Sequence, residues 1–152
     1  MTTIAVDLDG LTSFGLMSSI SKSQKALQKM LCVCLGHHDL TLPQWQVIGL
    51  LIDGSKRPTE LAQMNNMKTP QISLIALEIK KVHPSIITEL LNQEDARTKK
   101  FALTETGQDF AAMVEAKLQI CIQRELAKKV APDNLQTYLE VTEFIGENVK
   151  HL

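Results

Sequence analysis

Residues 92–107 constrain this chain more than any other stretch, because they specify a polar basic tip, a strand and a capped helix start in fixed order. Asp95, Arg97, Lys99 and Lys100 suit a solvated hairpin tip, and Leu103 returns the strand to a core. Thr104 is a good N-cap for the helix that follows. Residues two apart in an extended chain share a side, so Asp95 can pair with Arg97 and hold its guanidinium in one orientation. An Arg aimed in this way, with Lys99 and Lys100 beside it, suits contact with DNA phosphates or a groove.

Upstream, Leu16, Met17, Ile20, Leu27, Met30, Leu31, Cys34 and Leu35 recur at helical spacing and predict a long first helix ending at Gly36. Thr41 and Gln44 fit a capping box for a second helix, with Trp45, Ile48, Leu51 and Ile52 facing inward until Asp53 and Gly54 stop it. Pro58 opens a short helix carrying Leu61, Ala62 and Met64, and Asn65 and Asn66 make a turn. Thr69 as N-cap and Pro70 as first helical residue begin the next helix, which must end before Pro84. On a helical wheel Ile72, Ile75, Ala76, Ile79 and Val82 face the core, leaving Pro70, Leu74, Leu77, Glu78 and Lys81 opposite.

After Thr104 one stripe runs through Phe110, Met113, Val114, Leu118, Cys121, Ile122, Leu126 and Val130. A second runs through Leu135, Tyr138, Leu139, Val141, Phe144, Ile145, Val149 and Leu152. These helices carry more apolar surface than the small central lobe can cover, so a homodimer is expected. Two short helices, a polar turn and a hairpin make a winged helix-turn-helix whose second helix is the candidate reader. The expected class is mostly α with a small β-hairpin wing: one domain over residues 1–152, with a winged helix-turn-helix lobe at about 41–106 and dimerisation helices at about 13–36 and 107–152.

An apolar share of 44% in 152 residues argues for a folded domain, and 4% aromatics for an aliphatic core of packed helices. With a net charge of -1, any DNA surface must be local rather than general. The beginning of the chain lacks a basic leader pattern, and no apolar run reaches the roughly 18 residues of a membrane span, so a cytoplasmic location and no membrane contact are expected.

The ordered set Leu40, Thr41, Gln44 and Trp45, then Glu60-Leu61-Ala62, the helix from Thr69 to Lys81, Asp95 and Arg97, and Leu103, Thr104 and Gly107 resembles the MarR family of winged-helix regulators over nearly the whole chain. The resemblance implies a homodimeric transcriptional regulator, a repressor, that binds double-stranded DNA at a pseudo-palindrome. Recognition helix 69–82 would enter the major groove and wing 88–103 would lie along the minor groove. It also implies release of DNA by a small-molecule ligand in the cleft between the two lobes, or by a metal or an oxidant acting near that junction. The candidate DNA-binding residues are Lys68, Thr69, Gln71, Ser73, Arg97, Lys99 and Lys100, with Asp95 orienting the wing. The chain departs from the family at Leu74, where an Arg is common, and at Val82-His83-Pro84, where a Gly usually closes the helix. A second reading is a MarR-like scaffold acting through protein contacts at Leu74 and Leu77, with weak DNA binding.

Cys32, Cys34, His37 and His38 are residue types that ligate zinc. Residues two apart on a helix diverge by about 200°, so Cys34 joins the apolar stripe and Cys32 does not. No metal and no cofactor are expected, and Cys34 and Cys121 read as small core hydrophobes rather than a structural disulfide. The segment from Ile4 through Asp7, Asp9 and Gly10 to Thr12 resembles the first motif of haloacid-dehalogenase-type phosphatases. That enzyme reading requires further parallel strands, whereas the rest of the sequence is helical in pattern, so the chain is expected not to be an enzyme.

Overall fold

The computed structural model describes residue 10 and residues 12–91, 98–128 and 130–148. The elements are α1 (Ser13–Gly36), α2 (Leu42–Leu51), α3 (Pro58–Met64), α4 (Thr69–Val82), β1 (Ile87–Leu91), β2 (Lys99–Leu103), α5 (Glu105–Ala127) and α6 (Pro132–Asn148). Long helices thus flank a lobe of three short helices and a hairpin, as the periodicity predicts.

Local chemistry sets most boundaries. The Thr41 hydroxyl accepts from the Gln44 N–H and the Gln44 carboxamide accepts from the Thr41 N–H, closing the capping box. Asp39 and Asn66 turn the chain in the left-handed region with φ of 53°, and Gly54 does so at 147°. The expected start of α4 shifts by one residue. Lys68 occupies the cap position and Thr69 the first helical turn, because Gln71 reaches back to accept from the Lys68 N–H at 3.0 Å.

The core of the lobe is aliphatic: Val47, Ile48, Leu51, Leu61, Ile72, Ile79 and the single large aromatic Phe101 are fully buried. Each such Leu or Ile contributes about 1.5–3 kcal/mol, whereas a helix the length of α4 is marginal in isolation. Its inward face therefore holds it in place. Two apolar residues expected inside, Val82 and Ile52, are not. Val82 is exposed because His83 takes the inward place at the end of α4, its ring 4.8 Å from that of Phe110. Ile52 is exposed because α2 ends at Leu51, and Met64 lies on the outer side of α3.

β1 and β2 pair antiparallel with Ile87 opposite Leu103 and Leu91 opposite Lys99. Lys56 adds a short third rung, exchanging backbone hydrogen bonds of 3.0 and 2.8 Å with Phe101. The start of α5 is seated directly on the turn before β1. Thr104 donates its N–H to the Ile86 carbonyl at 2.9 Å, and its hydroxyl caps α5 by accepting from Gly107 at 2.9 Å. A Cβ at Gly107 would stand 2.2 Å from the Ile86 oxygen. The Leu103, Thr104 and Gly107 pattern is therefore a close backbone junction between wing and α5.

The expectation that Cys34 and Cys121 are separate core hydrophobes is corrected: they form a disulfide joining α1 to α5 across 87 residues. Both lie on the inner stripes of helices that pack together, which places the two sulfurs face to face. Cys32 is free and exposed. The phosphatase alternative calls for further parallel strands. Among the described residues the sheet is a two-stranded antiparallel hairpin, not a parallel array; Asp7 and Asp9 lie outside the described residues. No helix among the described residues is long and apolar enough to cross a membrane.

Candidate nucleic-acid interface

α4 is anchored by Ile72, Ile75, Ala76 and Ile79, and its opposite face is open, with Leu74 57% and Leu77 50% exposed. The two leucines project where a groove-reading helix needs polar groups. Around them Pro70, Gln71, Glu78 and Lys81 are exposed, and Thr69 and Ser73 are half-buried. The structure places the candidates Lys68, Thr69, Gln71 and Ser73 together on the first turns of α4. Gln71 is partly committed, since its carboxamide oxygen caps the helix.

The second group sits on the hairpin. Alternation along β2 sends Lys99 and Lys100 to opposite faces. Lys99 shares the side of buried Phe101, its Nζ 5.5 Å from the ring centroid. Lys100 points the other way and, with Arg57, Leu90 and Thr98, lines a cleft of about 350 Å³ between the hairpin and the loop before α3. Lys80 is engaged with Glu89 at 2.8 Å, tying α4 to β1. The hydrogen bond from Lys80 holds the Glu89 carboxyl below its ordinary range, against an opposing effect of burial and with further help from the charges of Lys80 and Lys99. This tie is present above the unfolded carboxylate's pKa and is lost as pH falls through the lower folded value. Asp95 and Arg97 lie outside the described residues.

Sequence reasoning missed Arg57. It stands at the cap position of α3, half exposed, with its Nε 3.8 Å from Glu60. The Lys56-Arg57 pair directly before Pro58 is the signal that marks it; in the structure Arg57 lines the cleft beside the hairpin, whereas the Lys56 ammonium donates to the Leu50 carbonyl. Among the described residues no group of three or more His, Cys, Asp or Glu side chains is placed to hold a metal ion.

The architecture has clear counterparts among solved structures. The transcriptional repressor CouR, bound to a 23-mer DNA duplex, superposes with a TM-score of 0.79 at 18% identity over 93% of this chain and 98% of that one. This chain has the MarR fold. AbsC, a MarR family transcriptional regulator from Streptomyces coelicolor, matches with a TM-score of 0.73 at 17% identity over 93% of this chain and 98% of its own. A mutant MarR from E. coli complexed with operator DNA matches with a TM-score of 0.72 at 20% identity, over 86% and 92% of the respective chains. These neighbours are regulators rather than enzymes. No family model matches the sequence, and no curated protein matches it. The MarR fold is thus carried here with little sequence in common, by the buried aliphatic set and the capping residues.

Proposed function

We propose that the protein is a homodimeric DNA-binding transcription regulator, a repressor, in which α4 of each protomer enters the major groove of one half-site and the hairpin of residues 88–103 lies along the minor groove. The observation that carries this reading is α4 itself: four residues bury one face, the other face is uncovered, and the hairpin with outward Lys100 stands beside it. Two of the solved counterparts, CouR and E. coli MarR, are bound to DNA with the same arrangement of elements. Lys68, Thr69, Gln71 and Ser73 supply the polar contacts, and the start of α4 favours a phosphate. Because Leu74 and Leu77 offer only apolar contact, sequence preference rests on few base contacts plus DNA shape. A cytoplasmic location and release by a small ligand bound between the lobes belong to the same proposal.

With a net charge of -1, the affinity must come from a few local phosphate contacts. Removing one cation from a phosphate flattens the plot of log affinity against log salt by about 0.9, and a substitution in a dimer removes two. Arg97→Ala and Lys100→Ala are expected to flatten the slope by about 1.8 each and to weaken binding across sequences. Lys99→Ala should leave the slope nearly unchanged, because Lys99 lies beside Phe101. Fluorescence anisotropy over a salt series checks this. Equal effects of Lys99 and Lys100 would contradict the assignment of faces.

The exposure of Leu74 and Leu77 favours one second reading, a scaffold of the same fold that binds a protein through α4. It differs from the first in predicting little sequence-specific DNA binding.

A further inference from the structure

The seam between α1 and α5 holds a site that DNA contact does not use. Cys34 and Cys121 both border a cleft of about 360 Å³, and Cys121 is the more open of the two, half-buried where Cys34 is 1% exposed. The cleft's other polar lining is His37, His38, Lys117 and Arg124, with no carboxylate among the lining residues. Lys117 and Arg124 stand four residues before and three after Cys121, so all three project from one face of α5. A disulfide that serves only to brace a core needs no approach from solvent. This one is reached through a cationic opening.

We propose that the cleft is a thiol–disulfide exchange site for small anionic thiols, with Cys121 Sγ as the sulfur attacked and Lys117 and Arg124 as the groups that draw the thiolate in. A disulfide opens when a thiolate attacks one of its sulfurs, so the rate follows access and the local concentration of thiolate. A cleft of one charge sign raises the concentration of the opposite ion. In the first step the incoming thiolate bonds to Cys121 Sγ, and the Cys34–Cys121 bond breaks with its electron pair leaving on Cys34, which takes a proton from water. In the second, another thiolate attacks the external sulfur of the mixed disulfide. Cys121 then leaves as a thiolate beside two cations, the setting that stabilises it. Two small thiols are oxidised to one disulfide and the protein gains two thiols. His38 fits this arrangement. Burial foremost, then the nearby Lys117 and His37, hold its pKa below the ordinary value while Asp39 opposes them, which favours the neutral imidazole beside the two cations.

The test uses the full chain, oxidised in air, with reduction followed by alkylation and mass spectrometry. The reagents are 2-mercaptoethanesulfonate, 2-mercaptoethanol and cysteamine at equal thiolate concentration. The anionic thiol is expected to react about tenfold faster than the neutral one at low salt, with the advantage shrinking as salt screens the cleft. The cationic thiol should be slowest. A double variant, Lys117→Gln with Arg124→Gln, should lose the preference, slowing with 2-mercaptoethanesulfonate far more than with 2-mercaptoethanol. Both side chains are exposed, so the fold is not at stake. Trapped mixed disulfide should map to Cys121. Equal rates in the wild type, a preference that survives in the double variant, or alkylation of both cysteines before any thiol is added would each overturn the proposal.

Discussion

Replacing Gly107 with Ala should cost about 3 kcal/mol, at the upper end of what overpacking costs, and lower the melting temperature by roughly 6–12 °C in a chain of this size. The reason is geometric. The new Cβ would stand 2.2 Å from the Ile86 carbonyl oxygen and 3.0 Å from its carbon, and both belong to backbone that cannot swing aside. That carbonyl also accepts the Thr104 N–H, so displacing it breaks the junction between α5 and the wing. Gly49 is the internal control, because a Cβ there meets nothing within 4 Å. In the interior of α2, Gly49→Ala should stabilise by about 0.5–1 kcal/mol. Differential scanning calorimetry of the two variants separates these cases, and similar melting temperatures would mean that the close approach does not exist.

The second large effect concerns assembly. No residue of α6 is buried within one chain, and Tyr138, Leu139, Val141, Phe144 and Ile145 are all 41–66% exposed. A groove of about 510 Å³ between α1, the end of α5 and α6 is lined by Leu27, Met30, Leu126, Leu135 and Tyr138. In the proposed dimer a second copy covers these surfaces. An Asp in place of Leu139 would bury an unpaired carboxylate twice per dimer. At about 3 kcal/mol for each copy, the dissociation constant should rise roughly 10⁴-fold. Ile145→Asp should do the same. Sedimentation velocity over a concentration series reads the change directly. A wild type that remains monomeric at micromolar concentration, or a Leu139→Asp variant that remains as dimeric as the wild type, would remove this part of the account.

Much of the architecture was legible because each element is fixed by local chemistry. The Thr41 and Gln44 capping box, Gly54, Asn66, Pro84 and the Thr104 cap all act within a few residues of themselves, and all appear where the sequence put them. Inward faces were legible where periodicity was unbroken, as at Ile72, Ile75, Ala76 and Ile79. The ends of helices were not, since a terminal residue's face depends on what the next element supplies. Val82 lost its inward place to His83, whose partner Phe110 is far away in sequence. The disulfide was missed for a similar reason. Three cysteines without a dense framework argue against bridges, and only the packing of α1 on α5 brings Cys34 to Cys121. At the edge proposed to face DNA, sequence alone grouped Lys99 with Lys100. The hairpin register separates them, and the fold adds Arg57 beside Lys100.

Selection of bound fragments from a sheared genomic library by the purified protein decides whether it reads DNA sequence. A pseudo-palindrome whose half-sites are one helical turn apart, about 10 base pairs between centres, should be enriched. One dimer should bind per site, with modest discrimination among related sequences. Recovery of unenriched DNA, or of a protein partner through Leu74 and Leu77 with no preferred DNA site, would contradict the proposed function.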